Sequence, residues 1–268
     1  MRLRGKGVIF PVLLAAMLFL GGCAQSGGES EEGVLRVGVR DDIMNFSYLN
    51  ETTGKYYGME IDLAEKIAED LGYSEVEYTT VTPDTRSDML ENGEVDCIIA
   101  TYSIAETRLE KFDFTEAYYK DSTVLMVADS TMLTEPEQLK GKTVGILNGT
   151  NAGPLLAVKL YELGFDVEEP LENNEVRTVY KDLTVVKTNS YTDLNKALEE
   201  GTVDAACMDG CVARGFQQND NSILNLSIAE QDYGVATQKG SELSKPMAEE
   251  IEKLLSDGTI DELIDKWD

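Results

Sequence analysis

The sequence predicts an α/β protein with two similar lobes, joined by two segments that cross between them. One pattern of apolar strands and amphipathic helices occurs twice along the 268 residues, and an extended segment follows each copy. Hydrophobic residues make up 42% of the chain, which is enough for a sizeable core. A βαβαβ unit that occurs twice in one chain is typical of two lobes, each built on a parallel sheet.

The internal repeat consists of three matched pairs of segments. They are Leu-Arg-Val-Gly-Val at 35–39 and Lys-Thr-Val-Gly-Ile at 142–146, helical patterns at 63–73 and 156–165 that end in Leu-Gly and an aromatic residue, and Leu-Glu-x-Gly-x-Val-Asp at 90–96 and 198–204. Each copy therefore predicts the order strand, helix, strand, helix, strand. The first copy carries extra residues around 45–57, and the second around 166–182.

Hydrophobic spacing predicts the individual elements of the first copy. Apolar residues recur at helical intervals over 61–71, and Gly72 suits the C-terminal cap of that helix. Residues 76–81 alternate between apolar and polar, as in a strand. The unbroken apolar run 95–100 is typical of a buried parallel strand.

Two long segments are predicted to cross between the lobes. Residues 112–127 follow the first copy and residues 228–236 follow the second, and both have an extended pattern. Two crossings between lobes describe a hinge. Two helices then close the chain, one starting near Ser244 and one over 260–267.

Composition excludes several classes of chemistry. The chain has 23 Lys+Arg, 50 Asp+Glu and no histidine, for a net charge of −27. Without histidine there is no Ser-His-Asp triad, no His-metal cluster and no imidazole acid or base. Nucleic-acid binding needs a basic surface, which this charge does not supply. No metal and no cofactor are expected.

The first 23 residues have the features of a targeting segment. Three basic residues come before an apolar run over 8–20, which is short for a transmembrane span but suits a secretory signal. Leu-Gly-Gly-Cys at 20–23 then resembles a bacterial lipobox. We expect a signal peptide over 1–22, lipidation of Cys23 and a lipidated tether over 23–33, hence an extracytoplasmic protein anchored to the cell membrane. The alternative is an ordinary signal peptide with an incidental cysteine.

Three further cysteines remain for other roles. Cys97 lies in an apolar run and is expected to be a buried small hydrophobe. Cys207 and Cys211 flank a turn, and the sequence leaves open whether they form a local disulfide. A thiolate zinc site is disfavoured, because three cysteines without histidine do not complete one of the common ligand sets.

The ends of the matched strands are where a ligand site is expected. In open α/β sheets, ligands bind beyond the carboxyl ends of the strands. The residues that follow the matched strands are Arg40, Asp41, Asp42, Thr101, Tyr102, Ser103, Asn148, Gly149, Thr150, Met208 and Asp209.

Several motifs in order carry a family resemblance. After the lipobox and Leu-Arg-Val-Gly-Val come Gly-Met-Glu-Ile-Asp-Leu-Ala at 58–64, Gly-Glu-Val-Asp at 93–96, Glu-Thr-Arg at 106–108 and Asp-Phe-Thr-Glu-Ala-Tyr-Tyr at 113–119. From residue 34 to 267 the chain resembles the extracytoplasmic solute-binding proteins of polar amino-acid ABC importers, family 3. The resemblance implies two Rossmann-like lobes joined by a two-segment hinge, the type II periplasmic-binding-protein fold or Venus flytrap.

The resemblance also implies a domain plan and partners. Lobe 1 would comprise 34–117 and 234–268, lobe 2 would comprise 123–228, and the hinge would comprise 118–122 and 229–233. A monomer of this kind binds a free amino acid between the lobes and delivers it to a membrane permease with its ATPase. The sequence does not distinguish this role from that of a stand-alone sensor that binds an amino acid through the same residues.

The family's site residues carry over to matching positions. Arg108 corresponds to the arginine that grips the ligand α-carboxylate, and a guanidinium suits that role through its paired donors. Thr101, Ser103 and Thr150 correspond to other polar contacts with the ligand, and Asp209 to the carboxylate that pairs with the ligand ammonium.

Two more arginines suggest which amino acid binds. Arg40 and Arg86 match basic positions in glutamate/aspartate-binding members, and three arginines in one cleft need more than one carboxylate to balance them. We therefore expect an acidic ligand. Alternatively, Arg40 or Arg86 points to solvent or pairs with a neighbouring aspartate (Asp41, Asp42 or Asp84), which would suit a neutral polar ligand such as glutamine or cystine. Tyr191 stands where some acidic-ligand members have histidine.

One class of enzyme shares the implied fold. A secreted cyclohexadienyl dehydratase would bind a ring carboxylate and need a general acid, for which Asp41, Asp42 and Asp209 are candidates. Asp209 is better explained as the partner of a ligand ammonium, and a lipid tether suits a transporter subunit. The sequence therefore predicts a binding protein and not an enzyme.

Overall fold

A computed structural model describes residues 33–268. The predicted signal peptide, Cys23 and nearly all of the predicted tether lie outside these residues. Within them the chain forms 14 strands, eight α-helices and two short 3₁₀ helices. None of the helices in this part of the chain has the length and apolar character to cross a membrane.

The strands and helices have the following bounds. The strands are β1 Val34–Val39, β2 Asp42–Ile43, β3 Ser47–Asn50, β4 Lys55–Tyr57, β5 Glu75–Thr80, β6 Cys97–Ile98, β7 Phe112–Ala128, β8 Lys142–Leu147, β9 Glu172–Asn173, β10 Arg177–Val179, β11 Leu183–Thr188, β12 Ala205–Asp209, β13 Asn221–Ile223 and β14 Ala229–Gln238. The α-helices are α1 Met59–Leu71, α2 Arg86–Glu91, α3 Glu106–Leu109, α4 Ala152–Glu162, α5 Tyr191–Glu199, α6 Gly210–Phe216, α7 Ser244–Ser256 and α8 Thr259–Trp267. The 3₁₀ helices are Asp129–Thr131 and Pro136–Leu139.

The two sequence repeats form two matching three-stranded parallel units. In the first repeat β1 lies between β5 and β6, and in the second β8 lies between β11 and β12. Val37 pairs with Tyr78 on one side and Cys97 on the other. The predicted order of strand, helix, strand, helix, strand is confirmed in both copies, although β6 is shorter than the apolar run 95–100.

The two crossing strands join these units into one 11-stranded sheet. β7 and β14 pair antiparallel with each other, while β14 also pairs with β6 and β7 also pairs with β12. The register between β7 and β14 shifts twice between Tyr233 and Ala236. The predicted crossings over 112–127 and 228–236 are confirmed as strands, and the limits of lobes and hinge stay a prediction.

The repeated glycines and aspartates have the same local function in each copy. Gly38 and Gly145 lie where a Cβ atom would collide with the δ-methyl of Ile98 or of Leu194. Asp96 accepts a hydrogen bond from the Arg36 backbone N–H at 2.9 Å, as Asp204 does from Thr143 at 2.9 Å. In each copy the Val-Asp segment that follows the second helix is therefore hydrogen-bonded to the first half of the central strand.

The extra residues of each copy form small antiparallel additions. Residues 42–57 contain the separate sheet β2–β3–β4, and residues 172–179 contain β9 and β10, which extend the large sheet beyond β11. Cys97, Cys207 and Cys211 are buried free thiols in this structure, so Cys207 and Cys211 are not joined here.

Candidate functional site

One cavity collects all the predicted ligand-binding residues. It lies between the carboxyl ends of the repeat strands, has a free internal volume of about 10 Å³, and is lined by Arg40, Arg86, Thr101, Ser103, Arg108, Thr150, Asn151, Tyr191, Asp209 and Gln231. The sequence did not single out Asn151 or Gln231, and it noted Tyr191 only as a departure. Arg40, Thr101 and Asp209 lie at the ends of the strands β1, β6 and β12, where the topology predicts a site.

Two larger clefts lie beside this cavity. One of about 180 Å³ is lined mainly by apolar residues, including Phe46 and Trp267, and one of about 480 Å³ lies along β2–β3 and α6. The smaller cavity has three guanidiniums and one carboxylate among its lining side chains. This concentration of buried charge makes it the candidate site.

Arg108 is held on the short helix α3. Its Nη1 donates to the Ser103 carbonyl at 2.7 Å and its Nη2 donates to Asn151 Oδ1 at 3.2 Å. The guanidinium carbon lies 4.3 Å from the centre of the Tyr102 ring. Burial lowers the pKa of Arg108, and the nearby Tyr102 and Asp209 oppose that shift. No ion pair to Arg108 occurs in the part of the chain that the structure describes.

Arg86 begins helix α2 and also lies near the Tyr102 ring. It is 3% exposed, and its Nη1 donates to the Ala100 carbonyl at 2.9 Å, while its Nε has no hydrogen-bond partner. Its guanidinium carbon also lies 4.3 Å from the Tyr102 ring centre. Burial first, and then repulsion from Arg108 and Arg40, lowers the pKa of Arg86 to about 9. Arg86 therefore stays protonated at neutral pH.

The alternatives that the sequence left open for the two arginines have different outcomes. Arg40 is 4% exposed and forms an ion pair with Asp42 at 2.7 Å, so the pairing alternative holds for Arg40. Arg86 neither points to solvent nor pairs with Asp84, whose carboxylate instead accepts hydrogen bonds from Asn148 Nδ2 at 3.3 and 3.4 Å. Arg86 and Arg108 thus both lack a carboxylate within ion-pair distance among residues 33–268, and Arg86 is the more deeply buried of the two.

Asp209 supplies the negative charge among the side chains that line the cavity. It ends strand β12, and Thr123 donates a hydrogen bond to it at 3.4 Å. Burial, and then repulsion from Asp121, raises the pKa of Asp209 to about 6. Asp209 is therefore largely ionised at neutral pH, and it lies close enough to Arg108 to influence the pKa of that guanidinium.

The remaining predicted side chains contribute hydroxyl groups. Thr150 Oγ1 donates to the Leu147 carbonyl at 2.7 Å, at the turn after strand β8. Thr101 Oγ1 donates to the Ala100 carbonyl at 2.9 Å. Thr101 also has a φ of +44°, an uncommon conformation for a residue with a β-branched side chain. The backbone at this edge of the cavity therefore needs support from neighbouring residues.

Glu60 gives that support and was missed by the sequence reasoning. Its Oε1 accepts hydrogen bonds from the Thr101 N–H at 2.5 Å and from the Tyr118 hydroxyl at 2.6 Å. Burial raises the pKa of Glu60 to about 7, although these two hydrogen bonds and the charges of Arg40 and Arg86 oppose the shift. A signal was present, because Glu60 falls in line with Ala64 and Ile67 on the apolar face of α1.

The two repeats touch each other around the cavity. Arg108 and Asp84 of the first repeat region bond to Asn151 and Asn148 of the second. At Gly149, with φ of +71°, an added Cβ would overlap the Asp84 carboxylate and lie 2.9 Å from its backbone nitrogen. The cavity is therefore closed on the side of these loops.

The fold and the site define a class of protein in which a small polar ligand is enclosed between two α/β lobes. The sequence profile of the bacterial extracellular solute-binding proteins, family 3, matches residues 35–268. The chain belongs to this family, so the expected family is confirmed.

Curated relatives with similar sequences are amino-acid-binding proteins. The chain is 28% identical to the ABC transporter glutamine-binding protein GlnH of Bacillus subtilis (strain 168), over 96% of this chain and 92% of the relative. It is 28% identical to the L-cystine-binding protein TcyJ of Escherichia coli (strain K12), over 88% of this chain and 83% of the relative. The names differ in the amino acid, so family membership alone does not select a ligand.

Solved structures of similar proteins confirm the fold class. An ancestral arginine-binding protein bound to arginine matches with a TM-score of 0.73 and 29% identity, covering 88% of this chain and 98% of that one. The protein therefore has the predicted α/β fold of two lobes joined by a two-segment hinge.

Proposed function

We propose that this protein is the substrate-binding subunit of an ABC importer and encloses one free amino acid between its lobes, at the cavity lined by Arg108 and Asp209. The observation that carries the proposal is the meeting of Arg108 and Asp209 in that cavity. Arg108 binds the ligand α-carboxylate through paired donors, and Asp209 accepts from the ligand ammonium. Thr101, Ser103 and Thr150 complete the polar contacts.

The binding cycle involves no chemical step. The ligand contacts both lobes only in the closed form, so its binding favours closure of the hinge. A membrane permease with its ATPase then receives the ligand from the closed protein. This role is consistent with lipidation at Cys23, an extracytoplasmic location and a monomeric chain, which are parts of the proposal.

Charge balance favours an acidic ligand, glutamate or aspartate. Asp42 offsets the charge of Arg40, and a zwitterionic backbone offsets Arg108 and Asp209. When Glu60 is protonated, the Arg86 guanidinium then remains buried without a counter-ion, and an unpaired buried charge is costly. A side-chain carboxylate on the ligand supplies the missing negative charge.

A neutral polar ligand such as glutamine is the second candidate. It is favoured by Glu60, which lies close enough to Arg86 for the charge of Arg86 to affect its pKa. An ionised Glu60 would neutralise Arg86 without any help from the ligand. A third alternative, a cyclohexadienyl dehydratase-like reaction, has less support, because Asp209 is largely ionised at neutral pH and is a poor general acid there.

Isothermal titration of the full chain with each of the twenty amino acids tests the proposal. We expect one site, with glutamate or aspartate binding most tightly. Tight binding of glutamine or cystine without glutamate or aspartate binding would contradict the acidic preference. Absence of binding by all twenty would contradict the proposed function itself.

A further inference from the structure

Glu60 is a buried acid whose second oxygen has no partner. The residue is 0% exposed, and Oε1 takes both of its hydrogen bonds while Oε2 has none. The Arg86 Nε is likewise buried without a partner. The two groups are close enough for the charge of Arg86 to affect the pKa of Glu60, and each has one buried polar atom without a hydrogen bond. Hydrogen bonds alone therefore do not determine whether Glu60 is ionised.

Groups on four elements face Glu60. Arg40 at the end of β1 and Arg86 at the start of α2 act on it by charge, whereas Tyr118 on β7 and the Thr101 backbone after β6 act by hydrogen bonds. Both of these donors serve either form of the carboxyl group, since each can bond to the carbonyl-type oxygen of the protonated acid. The balance of charge around Arg40 and Arg86 therefore influences the protonation of Glu60.

We propose that Glu60 couples the charge of the ligand side chain to a proton. An acidic amino acid binds with Glu60 protonated, because the ligand side-chain carboxylate takes its place as the counter-ion of Arg86. A neutral amino acid binds with Glu60 ionised. This inference rests on the proposed binding of an amino acid in the Arg108–Asp209 cavity.

The proton affinity of Glu60 makes the coupling visible near neutral pH. Burial holds the pKa of Glu60 at about 7, so the ligand-free site contains both forms at pH 7. A bound ligand carboxylate raises the pKa further, since like charges disfavour ionisation. Binding of glutamate thus takes up a proton when the pH is above 7, and binding of glutamine releases one when the pH is below 7.

The sign of the pH dependence follows from this linkage. Above pH 7 the affinity for an acidic ligand falls by up to about tenfold per pH unit, because one proton must be bound with the ligand. For a neutral ligand the affinity rises with pH up to about 7 and is then constant. Asp209, with a pKa of about 6, limits the useful range to pH above about 6.5, since protonated Asp209 no longer attracts the ligand ammonium.

Titration of the full chain with glutamate and with glutamine between pH 6.5 and about 8.5 tests the coupling. Repeating each glutamate titration in phosphate and in Tris, whose heats of ionisation differ, counts the protons taken up. We expect uptake that approaches one proton per glutamate at pH 8. A proton count of zero at this pH overturns the inference, and this measurement needs no variant.

The variant Glu60→Gln removes the titrating group and keeps an acceptor for Thr101 and Tyr118. We expect its glutamate affinity to be constant between pH 6.5 and about 8, below the pKa of Arg86, and about tenfold above that of the unaltered protein at pH 8. The control is Glu250→Gln, which replaces another buried acid, 7% exposed and paired with Lys253 on helix α7. This control should keep the original pH profile.

The outcomes separate the inference from the proposed function. Glutamate binding with the same fall above pH 7 in Glu60→Gln overturns the role of Glu60 and leaves the proposed function intact. Failure of every amino acid to bind the unaltered chain at any pH overturns the proposed function. A flat profile in Glu60→Gln beside a sloping one in Glu250→Gln supports both.

Discussion

The centre of the Tyr102 ring lies 4.3 Å from the guanidinium carbon of Arg86 and 4.3 Å from that of Arg108. An aromatic face attracts a cation, so one buried ring stabilises two charges that repel each other. The Tyr102 hydroxyl bonds to Ser87 at 2.8 Å, which fixes the ring. The hydrogen bonds of Arg86 and Arg108 to other residues leave N–H donors on each guanidinium for a ligand.

Replacing Arg108 with alanine tests the residue proposed to grip the ligand. Losing one partner of a buried charge-assisted pair costs about 2–5 kcal/mol, so we expect amino-acid affinity to fall by at least about thirtyfold. Isothermal titration measures the loss. The control is Arg177→Ala, an exposed arginine that pairs with Glu172 at 2.8 Å on the β9–β10 addition. An Arg108→Ala protein that binds as tightly as this control would exclude the assigned role.

At the scale of elements, the loops after β8 and before α2 meet across the cavity. Gly149 packs against Pro83 and Asp84, and Asn148 bonds to the Asp84 carboxylate. Glycine is needed at position 149 for two reasons, the positive φ and the close approach of the opposite loop. This contact joins the two repeats in this structure, and we expect it to break when the hinge opens.

Gly149→Ala should therefore hinder closure without unfolding either lobe. We expect ligand affinity to fall by at least about tenfold, because one tenfold step corresponds to only ~1.4 kcal/mol of closure energy. Small-angle scattering with saturating amino acid should show a larger radius of gyration than for the unaltered chain.

The matched control for this prediction is Gly141→Ala. Gly141 has a φ of +76°, and an added Cβ meets nothing within 4 Å. Alanine at position 141 has a similar energetic cost from the positive φ but causes no clash between the repeats. Gly141→Ala should therefore lose stability and keep its affinity for the amino acid. Equal affinity of Gly149→Ala and Gly141→Ala would contradict the role of the loop contact.

At the scale of the whole molecule, the site and the surface have opposite electrostatic character. The chain carries 50 acidic and 23 basic residues, for a net charge of −27. Three of its arginines line one small cavity. The net negative charge of the protein therefore repels an acidic ligand at long range, whereas the arginines of the cavity attract it at short range.

Salt should accelerate the association of an acidic ligand. The Debye length falls from about 30 Å at 0.01 M salt to about 8 Å at 0.15 M, which screens the long-range repulsion more than the short-range contacts in the cavity. We expect the association rate of glutamate, measured by stopped flow, to rise severalfold over this range. Glutamine, without net charge, is the control and should change by less than about twofold. A glutamate association rate that falls with salt would show that attraction by the arginines of the cavity outweighs repulsion by the net negative charge of the molecule.

The sequence by itself determined the repeat, the order of its elements and the edge of the sheet where polar residues gather. These are local or periodic properties, since strand and helix spacing and the parallel βαβ connection follow from neighbouring residues. Arg40 could be selected because it follows a matched strand, whereas Arg86 and Arg108 were selected from the family resemblance.

Only the tertiary structure decided how the charges of the site are partnered. Arg40 pairs with Asp42, although Asp41 is equally near to it along the chain. Asp84 bonds to the distant Asn148 and not to the neighbouring Arg86, and only the packing of the loops decides this. The position of Glu60 beneath Thr101 depends on how helix α1 packs on the sheet, 41 residues away along the chain. Burial and charge partners are properties of the packed molecule, and they set the protonation of Glu60 and Asp209.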